Sequence, residues 1–326
     1  MSKPKLAYYL AGGCAGCEIA MVDLADTLVD VLSGMDVVFF APTLADVKYK
    51  DFEALPDGSV DVGFFSGNVR NKEHEHMAKL MRAKCKILIA FGICAAIGGI
   101  KGLVNLHSNE ELLEKAFKTT FSTDNPDGVL PSPKCVVEEN GKKYELELPE
   151  LTEARALDQV VEVDYYVGGC PPHYEHIKKA VTALLEGNLP PKGSWITMGH
   201  AVCEVCPRNP VLRGEKKKPV KEVKRIIEGE IPEDKCLLGA GYLCLGPITQ
   251  GDCGALCLKV GMPCRGCGGP IPGVKDYGLR AISAIASALD NAELVDKIVD
   301  PVHLFYRYSL PSSLLRKRLN RKEEQK

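Results

Sequence analysis

Four cysteines lie close together between residues 253 and 267, and their spacing is typical of a metal site. Cys253, Cys257, Cys264 and Cys267 fall within fifteen residues, with glycines and a proline between them. Glycine lets backbone N–H groups approach a sulfur closely, and proline stiffens the turn before Cys264. One tetrahedral zinc ion or one iron–sulfur cube could use all four thiolates, which we call the 253–267 set.

A second group of cysteines, the 203–244 set, precedes the first. Its members are Cys203, Cys206, Cys236 and Cys244, so residues 203–267 hold eight cysteines, enough for two cubane clusters. A structural zinc held by the Cys-x-x-Cys pairs at 203/206 and 264/267 is the alternative. A single zinc would leave four cysteines of this region unexplained, and the pattern therefore favours iron–sulfur clusters.

Four more cysteines, the N-terminal set, follow predicted strands in the first half of the chain. Its members are Cys14, Cys17, Cys94 and Cys170. They lie just past the carboxyl ends of predicted strands, which meet at one edge of a parallel sheet, so we expect the four thiols to converge. Cys14 and Cys17 taken alone could instead form a thioredoxin-type dithiol at a helix start.

Alternating strand and helix patterns predict an α/β fold with two domains. Residues 1–190 are expected to form a flavodoxin-like parallel sheet domain, and residues 191–326 a smaller, irregular iron–sulfur domain, with a proline-rich boundary at 188–194. The predicted strands are residues 5–10, 36–41, 59–65, 86–91 and 161–167. The predicted helices are residues 19–32, 71–83, 110–118 and 174–186, with one or two covering helices within 277–299. Residues 121–158 break this pattern and read as an insertion, in which Asn140-Gly141 marks a hairpin.

Composition narrows the functional classes. The 326 residues are 45% apolar and 26% charged with a net charge of −2, which gives no reason to expect nucleic acid as a partner. The most apolar run, residues 87–100, is too short to span a bilayer, and the start lacks the apolar core of a signal peptide. We therefore expect a cytoplasmic protein, where thiols stay reduced and fourteen cysteines indicate metal binding rather than disulfides.

Two cysteines lie outside the three sets. Cys85 comes before a predicted strand and Cys135 before the predicted hairpin. We expect both to be ordinary buried thiols rather than ligands.

With twelve cysteines placed, the chain resembles the small subunit of NiFe hydrogenases. The resemblance extends from Lys5 to about Gly278 and is best to the cytoplasmic group that includes the methyl-viologen-reducing (F420-non-reducing) and deazaflavin-reducing enzymes and the archaeal sulfhydrogenases. The motifs that carry it are Gly13-Cys14-Ala-Gly-Cys17, Gly92-Ile-Cys94 with Gly98-Gly99, Gly169-Cys170-Pro171-Pro172, Cys206-Pro207-Arg208, Cys244-Leu-Gly246-Pro247-Ile-Thr249 and Pro263-Cys264-Arg-Gly-Cys267.

The resemblance implies a role for each set of cysteines. The N-terminal set matches the ligands of the proximal cluster, the 253–267 set those of the medial cluster and the 203–244 set those of the distal cluster, each expected to be 4Fe–4S. Cys203 stands where many relatives have histidine, and His200 is the alternative ligand there. Relatives with proline in place of one medial ligand hold a three-iron cluster, whereas this chain has Cys257.

The resemblance also implies a function, that of an electron-transferring subunit of an enzyme that oxidises or produces hydrogen. The Ni–Fe centre would lie on a separate large subunit, and this chain would contribute no catalytic residue. Electrons would pass through the three clusters to a further subunit with a 2Fe–2S cluster or flavin, and on to heterodisulfide reductase or a similar acceptor.

One residue departs from the family pattern and keeps an alternative open. Many relatives have a glutamate that is thought to pass protons where this chain has Ser66. A serine hydroxyl cannot act as a carboxylate relay, so the chain could serve a related complex without hydrogenase activity. A zinc-stapled binding module is the alternative from another functional class.

Overall fold

A six-stranded parallel sheet forms the centre of the first half of the chain. The computed structural model describes residues 3–24, 28–29, 33–41 and 48–315. The sheet strands are β1 (Lys5–Leu10), β2 (Asp36–Ala41), β3 (Val60–Ser66), β5 (Cys85–Phe91), β9 (Tyr165–Val167) and β10 (Ser194–Trp195). They lie in the order β10-β9-β5-β3-β1-β2, and every neighbouring pair is parallel. This is the flavodoxin strand order with one added edge strand, which confirms the predicted fold class.

Both faces of the sheet are buried, which explains its nearly continuous apolar strands. In β1, Leu6 and Tyr8 belong to the core on one face, and Ala7 and Tyr9 to the core on the other. Side chains alternate between the two faces along each strand, so the same strand contributes residues to both cores.

The first half contains a helix at each of the four predicted places and two short helices, at 49–53 and 93–97, that the sequence did not predict. Those of the first half are α1 (Gly16–Val22), α2 (Tyr49–Glu53), α3 (Lys72–Lys84), α4 (Ile93–Ile97), α5 (Asn109–Glu114) and α6 (Tyr174–Leu185). The start of α3 is fixed because the Asn71 side chain accepts a hydrogen bond from the His74 N–H at 2.8 Å. A helix is predicted over residues 19–32, and α1 forms its first part. Residues 25–27 and 30–32 of this prediction lie outside the described residues.

The predicted insertion contains a hairpin and a strand that returns to the sheet domain. Strands β6 (Lys134–Glu139) and β7 (Lys142–Glu147) pair around Asn140-Gly141, while β8 (Leu151–Arg155) pairs with the short β4 (Val69–Asn71). Every residue of β6 and β7 is exposed, so the expectation that Cys135 is buried is wrong. Cys85, by contrast, is buried at the start of β5 as predicted.

Irregular structure prevails after β10. This edge strand lies past the expected domain boundary at residue 190. It has only two residues, which follow a proline pair and are too few to show a periodicity in the sequence. The later helices are α7 (Val202–Val205), α8 (Leu256–Lys259), α9 (Tyr277–Ala286) and α10 (Pro301–Phe305). No helix within the described ranges is both long and apolar enough to cross a bilayer.

Candidate metal centres

The N-terminal set converges at the carboxyl edge of the sheet. Cys14, Cys17, Cys94 and Cys170 lie near enough for each thiol to act electrostatically on the other three. The loops that carry them are tied together, since the Ile93 N–H donates to the Gly169 carbonyl at 2.9 Å. The parallel topology thus brings together residues that are up to 156 positions apart in the sequence.

Glycines leave the space that these sulfurs occupy. A Cβ on Gly92 would lie 2.5 Å from the Cys17 sulfur, and one on Gly99 would lie 2.3 Å from the Cys94 sulfur. Both glycines also have positive φ angles, 80° and 64°. Any side chain at these positions would therefore displace a thiol and strain the backbone.

Burial dominates the acid–base properties of two thiols of the N-terminal set. It raises the pKa of Cys17 to about 11 and that of Cys94 to about 12. Cys14 and Cys17 also lie beside Cys94 and Cys170, which an isolated thioredoxin-type dithiol would not require. Protonated, buried thiols of this kind become ligands when a metal displaces their protons.

Two polar groups beside the N-terminal set contribute to its environment. The hydroxyl of Ser66, which is 1% exposed, hydrogen-bonds the Cys17 thiol and lowers its pKa against the larger effect of burial. The Lys101 ammonium donates to the Gly13 carbonyl, and its charge acts against burial to lower the pKa of Cys94 and Cys170. The sequence pattern did not point to Lys101, because a lone lysine after two glycines carries no metal-site signal.

The 203–244 set also converges completely. Each of Cys203, Cys206, Cys236 and Cys244 acts electrostatically on the other three, and all four line a cavity of about 500 Å³. The backbone N–H groups of Gly246 and Cys264 donate to the Cys244 sulfur. The ring of His200, the alternative ligand, lies against Gly251 instead.

The 253–267 set lies between the other two. The Cys267 thiol is close to Cys253 and Cys257, and also to Cys264. Cys264 accepts a hydrogen bond from the Gly266 N–H, and the nearby Thr249 hydroxyl lowers the pKa of this thiol against the larger effect of burial. The Thr249 hydroxyl donates to the Leu245 carbonyl at 2.6 Å, and its oxygen also lies 2.6 Å from the Tyr277 hydroxyl.

Close contacts connect the middle set to each of its neighbours. The backbone N–H of Cys170 lies near the Cys267 sulfur and lowers the pKa of that thiol against the larger effect of burial, which links the N-terminal set to the 253–267 set. The Cys264 N–H donates to the Cys244 sulfur at 3.3 Å, which links the 253–267 set to the 203–244 set. The three sets are therefore consecutive in space, with the 253–267 set in the middle.

The donor sets fit iron–sulfur clusters in their chemistry. Each offers four thiols, and the 203–244 and 253–267 sets also have backbone N–H groups aimed at their sulfurs, the environment that tunes such clusters. Across the described part of the chain, no three His, Cys, Asp or Glu side chains are grouped as a single metal ion would need.

Sequence comparisons place the chain among known proteins. The family model described as "NADH ubiquinone oxidoreductase, 20 Kd subunit" matches residues 14–184. The chain is 58% identical to the iron-sulfur subunit of the F420-non-reducing hydrogenase of Archaeoglobus profundus, over 97% of this chain and 98% of the relative. It is 35% identical to the corresponding F420-non-reducing hydrogenase subunit of Methanothermobacter thermautotrophicus, over 96% of both chains.

Comparison with solved structures supports the same fold. A chain of the recombinant [NiFeSe] hydrogenase from Desulfovibrio vulgaris Hildenborough, in the oxidized state, superposes with a TM-score of 0.51 at 16% identity. The match covers 84% of this chain and 95% of that one. At this identity the likeness concerns the fold alone.

Proposed function

The chain belongs to the small-subunit family of NiFe hydrogenases, with subunits of F420-non-reducing hydrogenases as relatives, and from this premise we propose that it relays electrons through three 4Fe–4S clusters. The N-terminal set would hold the proximal cluster, the 253–267 set the medial cluster and the 203–244 set the distal cluster. The clusters, when bound, supply one-electron redox steps. The observation that carries the proposal is the pair of contacts that joins each outer set to the middle one, Cys170 with Cys267 and Cys264 with Cys244.

The residues of this chain would position the clusters and tune their electron affinity. Backbone N–H groups at Cys244, Cys264 and Cys267 favour the reduced, more negative cluster, because they donate to sulfur. The proximity of the Cys170 backbone to the Cys267 sulfur would keep two clusters at a short separation. Three of the twelve proposed ligands, Cys206, Cys244 and Cys264, are buried and six more are half-buried, which would limit the access of water to the clusters.

The hydrogenase large subunit is the partner expected at the N-terminal set. Cys14 and Cys170 are exposed, so this set opens onto the surface of the chain. A large subunit covering it would place its Ni–Fe centre next to the proximal cluster. Electrons would leave at the 203–244 set toward a 2Fe–2S or flavin subunit and a heterodisulfide reductase-type acceptor, in a cytoplasmic complex.

Metal analysis and hydrogen-dependent dye reduction on the native complex test the proposal. Three 4Fe–4S clusters require about twelve iron and about twelve acid-labile sulfide per chain. A zinc-stapled module would contain neither, and iron-free, colourless protein after anaerobic isolation would contradict the proposal.

The cluster type at the middle position has its own test. Replacing Cys257 with proline should convert a medial 4Fe–4S cluster to a three-iron cluster, because one thiolate ligand is removed. The three-iron form gives an electron paramagnetic resonance signal in the oxidised state that the parent lacks. Cys135→Ala, which removes an exposed thiol outside the three sets, is the control.

A relay in a complex without hydrogenase activity is the second candidate, and Ser66 is the residue that favours it. Ser66 stands where many relatives have a proton-passing glutamate. Its buried hydroxyl hydrogen-bonds the Cys17 thiol instead. The N-terminal set has another carboxylate beside it, because the buried Glu18 acts on the Cys17 thiol. Intact clusters with no hydrogen-dependent dye reduction, and a large partner without nickel, would favour this candidate.

A further inference from the structure

A cavity of about 630 Å³ beside the 253–267 set combines basic and apolar side chains in its lining. It lies between residues 223–228, 263–265 and 297–307. Five basic side chains line it, namely Lys224, Arg225, Arg265, Lys297 and Arg307, against two acidic ones. We call it the basic cavity.

The two carboxylates of the basic cavity already have partners. The Asp300 carboxylate lies 2.7 Å from the His303 ring nitrogen, and Glu228 accepts the Arg225 N–H at 2.8 Å. Lys224 pairs with Glu222 at 2.6 Å. Glu222, Glu228 and Asp300 together offset three of the five positive charges, and Asp300 also acts on Arg307, so two positive charges remain in excess.

Arg265 and Arg307 both line this cavity. Within the described ranges, no carboxylate lies within 4.0 Å of the charged nitrogens of Arg265, Lys297 or Arg307. An anionic group that enters a half-buried cavity gains more from nearby positive charges than the same group does in open water.

The surroundings favour a polypeptide segment over a phosphate compound. Ile227 is 79% exposed and Val299 is 66% exposed, so apolar side chains lie next to the cations. Helix α10, whose N-terminus borders the cavity, begins with Pro301, which has no N–H, and the Asp300 carboxylate accepts the His303 N–H, so this helix end already holds an anionic group where a phosphate would bind. A segment that alternates acidic and apolar residues would match both features.

We propose that the basic cavity docks an acidic segment of another subunit of the hydrogenase complex. Arg265 lies between the ligands Cys264 and Cys267, so docking would fix that subunit next to the medial and distal clusters. The identity of the partner rests on the proposed relay function, whereas the chemistry of the segment rests on the cavity alone.

Zero-length carbodiimide cross-linking of the intact native complex tests the proposal. The reagent joins a lysine amine to a carboxylate only when the two are in contact. We expect Lys224 or Lys297 to be joined to an Asp or Glu of another subunit. The double variant Lys224→Arg with Lys297→Arg keeps the charge but should lose this cross-link while the complex stays assembled.

Charge reversal provides the second measurement. Arg307→Glu should weaken retention of the docked subunit roughly ten-fold at moderate salt, because one attractive contact becomes repulsive. Arg307→Lys should retain most of the binding, and Lys143→Glu in the exposed hairpin should change nothing.

Three results would overturn the proposal. The first is that the two lysines cross-link only to carboxylates of this chain, for example Glu323 or Glu324. The second is unchanged retention in Arg307→Glu. The third is protection of the lysines by inorganic phosphate without any cross-link, which would assign the cavity to a small phosphorylated ligand. Iron content and dye reduction are measured on the same samples, so failure of the relay function would be seen separately.

Discussion

Single hydroxyl groups lie beside two of the proposed cluster-binding sulfurs. The Ser66 hydroxyl lowers the pKa of Cys17 in the N-terminal set, and the Thr249 hydroxyl lowers that of Cys264 in the 253–267 set, each against the larger effect of burial. A hydrogen bond to sulfur stabilises the reduced cluster, because reduction adds negative charge that the donor partly neutralises. Each hydroxyl should therefore raise the reduction potential of one cluster and leave the other two unchanged.

Ser66→Ala tests the first of these hydroxyls. We expect the midpoint potential of the proximal cluster to fall, since the reduced form loses a donor, while iron content is retained. A redox titration followed by electron paramagnetic resonance measures the change. Ser132→Ala, in an exposed segment, is the control, and an unchanged proximal potential would contradict the assignment.

Thr249→Val tests the second hydroxyl and should also affect stability. The fully buried Tyr277 hydroxyl loses its partner at 2.6 Å, which we expect to lower the free energy of unfolding by about 1–3 kcal/mol. The medial potential should fall as well. Thr249→Ser, which keeps the hydroxyl, should restore the potential, whereas a purely structural role would leave the potential at the parent value in both variants.

At the scale of elements, one glutamate connects α3 to β8. Glu75 lies 2.7 Å from the Lys79 ammonium and 2.9 Å from the Arg155 guanidinium, and hydrogen bonds to these two groups lower its pKa to about 2. A lowered pKa means that the carboxylate stabilises the fold above its ordinary pKa of 4.5 and that this stabilisation is lost as the pH falls toward 2.

Glu75→Gln should therefore destabilise the sheet domain at pH 7 and have little effect at pH 2. Urea unfolding of the iron-free chain, followed by far-ultraviolet circular dichroism, measures the difference at several pH values. Glu145→Gln in the exposed β7 should have no effect at either pH. A pH-independent loss of stability would indicate that packing, and not charge, makes the contribution.

The contact between the loop after β9 and the loop after Cys267 depends on a glycine. A Cβ on Gly168 would lie 2.0 Å from the carbonyl oxygen of Gly268. Gly168→Ala should force the loops apart and lengthen the distance between the proximal and medial clusters, and weaker magnetic coupling between the reduced clusters would show this. Gly34→Ala meets nothing within 4 Å and is the matched control.

At the scale of the whole molecule, the two halves differ in what forms their cores. The sheet domain has aromatic and aliphatic cores on both faces of the sheet. One core of the second half instead includes three of the proposed ligands, Cys206, Cys244 and Cys264. The clusters would thus replace apolar side chains in stabilising this region.

Removal of iron should therefore unfold the second half first. We expect amide hydrogen exchange after anaerobic chelation to show loss of protection in residues 200–275, while β1, β3 and β5 stay protected. Exchange that rises equally in both halves would contradict this division of the stability.

The sequence by itself determined which cysteines form each set and the fold that carries the first of them. Strand periodicity and the positions of Cys14, Cys94 and Cys170 after strands suffice to predict that the N-terminal set converges. The reason is that parallel topology puts the carboxyl ends of all strands on one edge of the sheet. The sequence missed β10, whose two residues are too few to show a period, and it placed Cys135 wrongly because an exposed hairpin alternates like a half-buried one.

The family resemblance already implied the order of the sets, but only the tertiary structure decided the contacts between them and the groups around them. The contacts Cys170–Cys267 and Cys244–Cys264 join residues from different elements, and no spacing rule predicts them. The same holds for the pair Arg265 and Arg307, which lie 42 positions apart in the sequence. Ligand identity follows from local chemistry that the chain carries in its sequence, whereas proximity between sites follows from how separate elements pack together.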